Sequence, residues 1–392
     1  MKLLKIVFTT VIFPLLLTSC EQKHNLTAEL DGLKNDTIFV EYATVPNYFI
    51  GNSPNRDTIY AQNGKFVYDI PSKESYFVGF YPKQSQFTRL SGEPFRANQN
   101  YIVTLIEPND NIQVSGKLNE YYASYDARGS AFNEEYSELR KSYIEKSSKG
   151  AELELKIDSL SANNSSSEKI NKLFQERNSF NRLSTKAELN YIENNPRKNI
   201  SAFFLTKQNP ETFEKYYSNL PIEVKSGIFR VGLDAKMERI KKSKKIDEAR
   251  SEIVEGVSAP NFKLLSVTGE KVELFSIRDK YIVLDFWGSW CPPCIKGFPK
   301  MKEYYSRYKN DVEFIGIACN DTEKKWKETV NNFDLKWVQL INSDAVVEKD
   351  ISVKYGIKNY PTKIILNKKK IIVGIFMGES EEFYAALNDL LQ

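Results

Sequence analysis

The sequence predicts an α/β domain at its C-terminal end, preceded by an antiparallel β domain and a helical segment. Three observations predict it. Short runs that alternate apolar and polar residues, broken by Gly, Asn and Asp, fill residues 25–118. From about residue 131 apolar positions recur every three or four residues, and beyond about 250 strand-like and helical runs alternate. A period of two marks a half-buried strand and a period near 3.6 an amphipathic helix; their alternation marks a sheet covered by helices.

At 392 residues the chain has room for two or three domains of roughly 100–200 residues each. Hydrophobic residues make up 41% and charged ones 27%, the balance of a globular protein rather than a disordered one. A formal net charge of +4, from 55 Lys and Arg against 51 Asp and Glu, leaves no basic surplus for phosphate, so nucleic acid is not an expected partner. The one histidine, His24, argues against His-based triads and His-ligated metal. Four cysteines do not make a disulfide-stapled miniprotein.

Residues 1–19 read as a secretory leader: Lys2 and Lys5, then an uncharged stretch from Ile6 to Ser19. Its apolar core is too short for a spanning helix, which needs about 20 residues. The leader runs into Leu17-Thr18-Ser19-Cys20, which resembles the lipobox of bacterial lipoproteins. That resemblance implies cleavage before Cys20, a thioether-linked diacylglycerol on its sulfur and acylation of its new amine. Several acyl chains anchor stably where one alone is marginal. The expected location is extracytoplasmic, in contact with the bilayer through Cys20 and facing the periplasm.

Residues 20–125 are expected to form the β domain, from runs such as Thr37–Tyr42, Lys65–Ile70, Tyr76–Phe80, Tyr101–Ile106 and Asn111–Val114. Turns at Asp31-Gly32, Asn63-Gly64 and Asn109-Asp110 separate them. Residues 126–250 follow as the helical segment. Stripes at Phe132, Tyr136, Leu139 and Tyr143, then at Leu153, Ile157 and Leu160, mark its helices, and Asn195-Pro196, Asn209-Pro210 and Leu220-Pro221 end or separate them. The basic run Lys241-Lys242-Ser243-Lys244-Lys245 reads as a solvated helix end, where cations offset the helix dipole. Residues 251–392 form the α/β domain, with strands at Tyr281–Phe286, Val312–Ile317, Lys363–Leu366 and Ile371–Ile375. Helices are expected from Pro292 to about Lys309 and around Glu323–Phe333.

The chemistry lies there. Trp290-Cys291-Pro292-Pro293-Cys294 follows a buried strand and opens a helix. Cysteines three apart share a helix face with Cβ atoms about 5–6 Å apart, close enough to interconvert between dithiol and disulfide. Zinc would need four ligands, and no second Cys pair or nearby His is present. A structural disulfide remains the bland alternative. Cys291 falls at the N-cap, where the helix dipole favours a thiolate. Pro293 has no N–H, which leaves Cys294 as the main backbone donor to that sulfur. Such a sulfur is lowered in pKa without reaching the extreme, which suits a reducing pair.

Ala259-Pro260-Asn261-Phe262, Leu284 to Cys294, Phe298-Pro299 and Gly356-Ile357-Lys358-Asn359-Tyr360-Pro361-Thr362 together resemble the thioredoxin superfamily, most of all its TlpA/ResA-like extracytoplasmic thiol–disulfide oxidoreductases. The resemblance covers about 140 residues and implies a thioredoxin-like C-terminal domain. The whole layout also resembles two-part lipoproteins of Bacteroidetes, in which a β-rich lead domain of unknown function precedes such an end. Carried over by position, the resemblance implies that Cys291 is the attacking thiolate and Cys294 the resolving thiol. Asp285 then matches the buried acid that takes the Cys294 proton, where many tethered relatives carry Asn. Its alternative is a strand-end Asp in a structural hydrogen bond. Pro361 matches a cis-proline facing the dithiol. Trp290, Pro292, Pro293, Tyr360 and Thr362 fall at the substrate face, with the Tyr360 backbone holding an incoming peptide as a strand.

Cys319 ends a strand and reads as a buried inert thiol before a third redox one. The segment before Cys291 lacks the Pro-x-x-x-Thr-x-x-Cys arrangement of peroxide-reducing enzymes. The resulting expectation is a lipid-anchored oxidoreductase that exchanges disulfides with protein cysteines, needs no dissociable cofactor and, acting as a reductant, draws electrons from a membrane donor. The competing expectation is a binding lipoprotein that acts through residues 25–250, its redox domain accessory.

Overall fold

Alternating side chains on a strand bury one face, so paired strands need a second layer to cover it. The computed structural model describes residues 23–71, 73–97, 99–163, 165–343 and 346–391; the expected leader and Cys20 lie outside the described residues. The chain divides between Lys236 and Met237 into two compact units.

The first unit contains β1 (Leu26–Asp31), β2 (Asp36–Thr44), β3 (Asn55–Ala61), β4 (Lys65–Tyr68), β5 (Tyr76–Pro82), β6 (Gln86–Thr88), β7 (Pro94–Arg96), β8 (Ile102–Ile106), β9 (Ile112–Leu118) and β10 (Ala123–Arg128). They form sheets ordered β10-β9-β1-β4 and β3-β2-β5-β8, with β6 and β7 paired separately. Pairing is antiparallel except between β1 and β9, which run parallel. Leu26, Ala28 and Leu30 of β1 share one buried cluster with Ile38, Val40, Val78 and Phe80 of the other sheet, so the two sheets close on a common core.

β5 is buried on both faces. Its other face carries Phe77, whose ring stacks on Phe203 at 5.1 Å and Phe229 at 6.1 Å between centroids. Those rings belong to the helical layer: α1 (Val45–Ile50), α2 (Ala131–Lys141), α3 (Ile144–Ala162), α4 (Ser167–Asn194), α5 (Asn199–Lys207), α6 (Pro210–Tyr217), α7 (Ile222–Lys225) and the start of α8 (Arg230–Glu252). Asn209 caps α6 and accepts from the Thr212 N–H, with Pro210 at the first helical position.

The second unit holds a seven-stranded sheet. Its strands are β11 (Lys263–Ser266), β12 (Lys271–Glu273), β13 (Tyr281–Trp287), β14 (Val312–Cys319), β15 (Val338–Asn342), β16 (Thr362–Leu366) and β17 (Ile372–Met377), in the order β12-β11-β15-β14-β13-β16-β17. β13, β14 and β15 are parallel, which requires crossovers; α9 (Pro292–Tyr308) and α10 (Glu323–Asn332) supply them. The remaining helices are α11 (Ile351–Lys354) and α12 (Glu381–Leu391). β13 is covered on both faces, hence its nearly unbroken apolar run. Val283 and Trp287 pack under α9, α10 and α12, whereas Ile282, Leu284 and Phe286 pack into the opposite cluster. Among the described residues no helix is long and apolar enough to cross a membrane.

β8 is an edge strand, and the buried Asn133 of α2 completes it. The Leu105 N–H donates to Asn133 Oδ1 at 2.9 Å, and Asn133 Nδ2 donates to the Leu105 carbonyl at 2.7 Å. Asn133→Ala leaves both backbone groups buried and unpaired, so it should destabilise the first unit by about 3 kcal/mol. Chemical denaturation, with loss of hydrogen-exchange protection at Leu105, checks this.

Candidate active site

The carboxyl ends of parallel strands collect functional groups because loops and helix N-termini converge there. At the end of β13 the chain turns through Gly288-Ser289-Trp290 into α9. A Cβ on Gly288 would run into the Trp290 indole, so glycine here lets that ring lie against the turn. Cys291 is the N-cap of α9, its sulfur accepting from the Cys294 N–H at 3.3 Å, with Pro292 and Pro293 filling the first two helical positions. The two cysteines form a disulfide with Cα atoms 5.3 Å apart.

Both sulfur-bearing residues are buried, Cys291 to 3% exposure and Cys294 to 2%. From sequence position Cys291, at the N-cap, is expected to be more exposed than Cys294 one turn inside; in this oxidised form exposure does not separate them. The disulfide turns the Cys291 sulfur onto the first turn of α9, and the exposed rings of Pro292 and Pro293 lie outside it. What still separates the two thiols is position at the cap.

Trp290 is 49% exposed. Its indole donates to the Cys319 carbonyl at 3.0 Å and meets the Tyr360 ring edge-on at 5.2 Å. Tyr360 packs against the cluster that contains both cysteines, and the Tyr360–Pro361 bond is cis. Pro361 is buried, with its carbonyl accepting from the Gly378 N–H at 2.8 Å. Thr362 is turned inward, its hydroxyl donating to the Asn359 carbonyl at 2.8 Å; its side chain braces the loop rather than facing a client.

Asp285 shares the α9-facing side of β13 with Val283 and Trp287, because residues two apart point the same way. It is 4% exposed. Burial holds its carboxyl above the usual range, the like charge of Glu379 adds to this and the cation of Lys363 opposes it. Asp285 and Lys363 are cross-strand partners in the β13–β16 register, with Lys363 Nζ 3.5 Å from Asp285 Oδ1. At that distance the oxygen has an ion-pair partner yet no hydrogen bond.

Cys319 ends β14, fully buried, and burial pushes its thiol up to about 12. It stays protonated at neutral pH and cannot act as a nucleophile. Among the described residues no group of three or more His, Cys, Asp and Glu is placed to hold a metal ion.

Sequence reasoning missed Asp321. Its carboxylate accepts from the Ser289 N–H at 2.7 Å and the Ser289 hydroxyl at 2.8 Å, and from the Thr322 N–H at 2.9 Å. It thus ties the turn before Cys291 to the end of β14. It missed Lys363 as well, although a lysine inside the apolar strand Thr362–Leu366, like Asp285 inside Tyr281–Trp287, was a signal: opposite charges in two buried strands call for each other.

Residues 279–372 match the family of thioredoxin-like domains. The chain is 35% identical over 125 residues to the thiol–disulfide oxidoreductase ResA of Bacillus thuringiensis (strain Al Hakam), covering 32% of this chain and 70% of that protein. Against ResA of Bacillus subtilis (strain 168) it is 32% identical over 136 residues, covering 34% and 73%. Among solved structures it is similar to the thioredoxin domain of a thiol–disulfide oxidoreductase from Bacteroides vulgatus, with 23% identity, 36% and 99% coverage and a TM-score of 0.33. The chain belongs to the thioredoxin-like thiol–disulfide oxidoreductases of the ResA type.

Asp321→Ala frees the turn that presents Cys291. Misplacing an attacking atom costs rate steeply, so attack by Cys291 on a small aromatic disulfide should slow by roughly tenfold or more. Stopped-flow release of the aromatic thiol measures it; an unchanged rate would remove Asp321 from the site.

Proposed function

We propose that this chain is a membrane-tethered reductant that delivers two electrons from the Cys291–Cys294 dithiol to disulfides of extracytoplasmic proteins. The observation that carries this reading is the cap geometry. Cys291 lies at the positive end of α9 and accepts one backbone N–H, from Cys294, while Pro292 and Pro293 supply none. A thiolate held by one donor and a dipole is favoured over the free thiol but not strongly, which keeps the dithiol form reducing.

The exchange runs in two steps. The Cys291 thiolate attacks one client sulfur; a Cys291–client bond forms, the client disulfide breaks and the other client sulfur leaves as a thiolate. Cys294 then loses its proton to the Asp285 carboxylate and attacks the Cys291 sulfur. The intramolecular disulfide forms and the second client sulfur departs. Cys291 and Cys294 are oxidised and the client is reduced, so a further dithiol must restore the pair; a membrane donor fills that role. A peptide laid along the Tyr360 backbone, with Pro361 behind and Trp290, Pro292 and Pro293 at its sides, would bring its sulfur to Cys291. Asp285 serves as a base because its raised proton affinity lies nearer that of a thiol than an ordinary carboxylate's does.

Cys294→Ser should accumulate a mixed disulfide with client, whereas Cys291→Ser should form none and should lose insulin reduction. Asp285→Asn should slow closure by about a hundredfold and leave first attack nearly unchanged. An equal effect on both steps overturns its role.

Tethering rests on Cys20. Cys20→Ser should release the chain from membranes or leave its leader uncut; unchanged fractionation and mass would exclude the anchor.

A further inference from the structure

Behind Asp285 the buried charge continues. Lys363 is 1% exposed, and its ammonium donates to Glu379 Oε1 at 2.6 Å while standing 3.5 Å from Asp285 Oδ1. Glu379 sits in the exposed turn after β17 but turns its side chain inward, to 24% exposure. The carboxyl enters the space at Gly297, where an added Cβ would collide with it. Gly297 is three residues after Cys294 and lies on the same buried face of α9. A gap in the helix that carries the resolving thiol is thus filled by a carboxylate from another part of the fold. The Tyr384 hydroxyl of α12 donates to Glu379 Oε2 at 3.4 Å and closes the far side.

We propose that Lys363 and Glu379 are positioning residues for thiol exchange, holding and charge-balancing Asp285 beneath Cys294, with Glu379 seated in the gap that Gly297 leaves in α9. The proposal rests on Asp285 as the acceptor of the Cys294 proton. Lys363 is shared between two carboxylates. Alone with Asp285 it would stabilise the anion and blunt the base; divided with Glu379, it keeps Asp285 ionisable yet basic.

The titratable and charged groups facing Asp285 are Lys363 on β16, Glu379 after β17 and Tyr384 on α12; Cys291 and Cys294 belong to the cluster that Val283 and Trp287 join on the same side of β13. On the β14 side its register partner is the uncharged Gly316. Beyond Tyr384, Lys300 stands over its ring at 4.4 Å and is paired with Glu381.

The test uses the full chain and dithiobis(nitrobenzoate) as the disulfide. The first aromatic thiol released reports attack by Cys291, and the second reports closure by Cys294. The closure rate should rise with pH as Asp285 ionises. In Glu379→Gln, Asp285 loses a like charge and keeps Lys363 to itself, so the midpoint of that rise should fall by about one unit. In Lys363→Met the cation is gone and the midpoint should move up. Glu379→Asp and Lys363→Arg should return it toward the parent value. A purely structural role would slow closure without moving the midpoint in opposite directions. Where Lys363→Met does not fold, Glu379→Gln decides alone. If Asp285→Asn slows closure but Glu379→Gln leaves the midpoint in place, this inference falls and the role of Asp285 stands. If Asp285→Asn has no effect on closure, both fall.

Discussion

The second unit depends on one electrostatic constraint: a carboxylate and an ammonium facing each other across β13 and β16 in the middle of a buried sheet. Removing one partner of a buried pair typically costs about 3–5 kcal/mol, because the remaining charge has no water to turn to. The register Asp285↔Lys363 is thereby pinned, since a slip of one residue would turn one of the two charges to the opposite face, lined by Leu284, Phe286 and Ile364, and leave the other unpaired. The face that holds the charges must be covered, and α9 covers it. On α9, Gly297 leaves the space that the Glu379 carboxyl occupies, where a Cβ would collide with it. Placement of the dithiol and of the buried charges is therefore one problem with one solution.

Much of this was legible in the sequence. β13, β14 and β16 come from apolar runs long enough to be told from helix by their β-branched content. The start of α9 could be placed to the residue because Cys291-Pro292-Pro293 has N-cap and first-turn chemistry and no plausible alternative. Other elements were silent for identifiable reasons. β3 exposes most of its residues, so Asn55-Arg56-Asp57-Thr58 shows no apolar alternation. β10 buries Ala123, Tyr125 and Ala127, residues too small or too mixed to announce a strand. Asp321, Lys363 and Glu379 meet Ser289, Asp285 and Gly297 across 32, 78 and 82 residues of chain, which spacing alone does not encode.

The first unit holds a comparable ion pair. Glu188 is buried, and Lys207 reaches it across Tyr136, Phe203 and Phe204, with Lys207 Nζ 3.3 Å from Glu188 Oε1 and 4.1 Å from the Phe203 ring centroid. Burial raises the carboxyl and lowers the ammonium in proton affinity, each opposed by its partner. Arg140 likewise spends its guanidinium on the carbonyls of Gln99, Ala123 and Tyr101. The Glu188–Lys207 pair joins α4 to α5, and Arg140 joins α2 to β10. Among the described residues no cysteine lies in the first unit, so perturbed titration alone does not mark these groups as a thiol-exchange site.

Two thiols at neighbouring strand ends make the same point within the second unit. Cys291 follows β13 and Cys319 ends β14, and the Trp290 indole spans the short distance between their segments by binding the Cys319 carbonyl. Cys291 stands at the first turn of a 17-residue helix, with a backbone N–H directed at its sulfur. Cys319 has instead the Asn342 amide at 3.8 Å and an apolar wall, and its thiol is pushed up to about 12. A difference of that size leaves almost no thiolate at neutral pH. Sheet position is common to both, so it cannot be what makes a cysteine reactive in this fold. What differs is the helix that begins at Cys291, whose first turn directs a backbone N–H at that sulfur and none at Cys319.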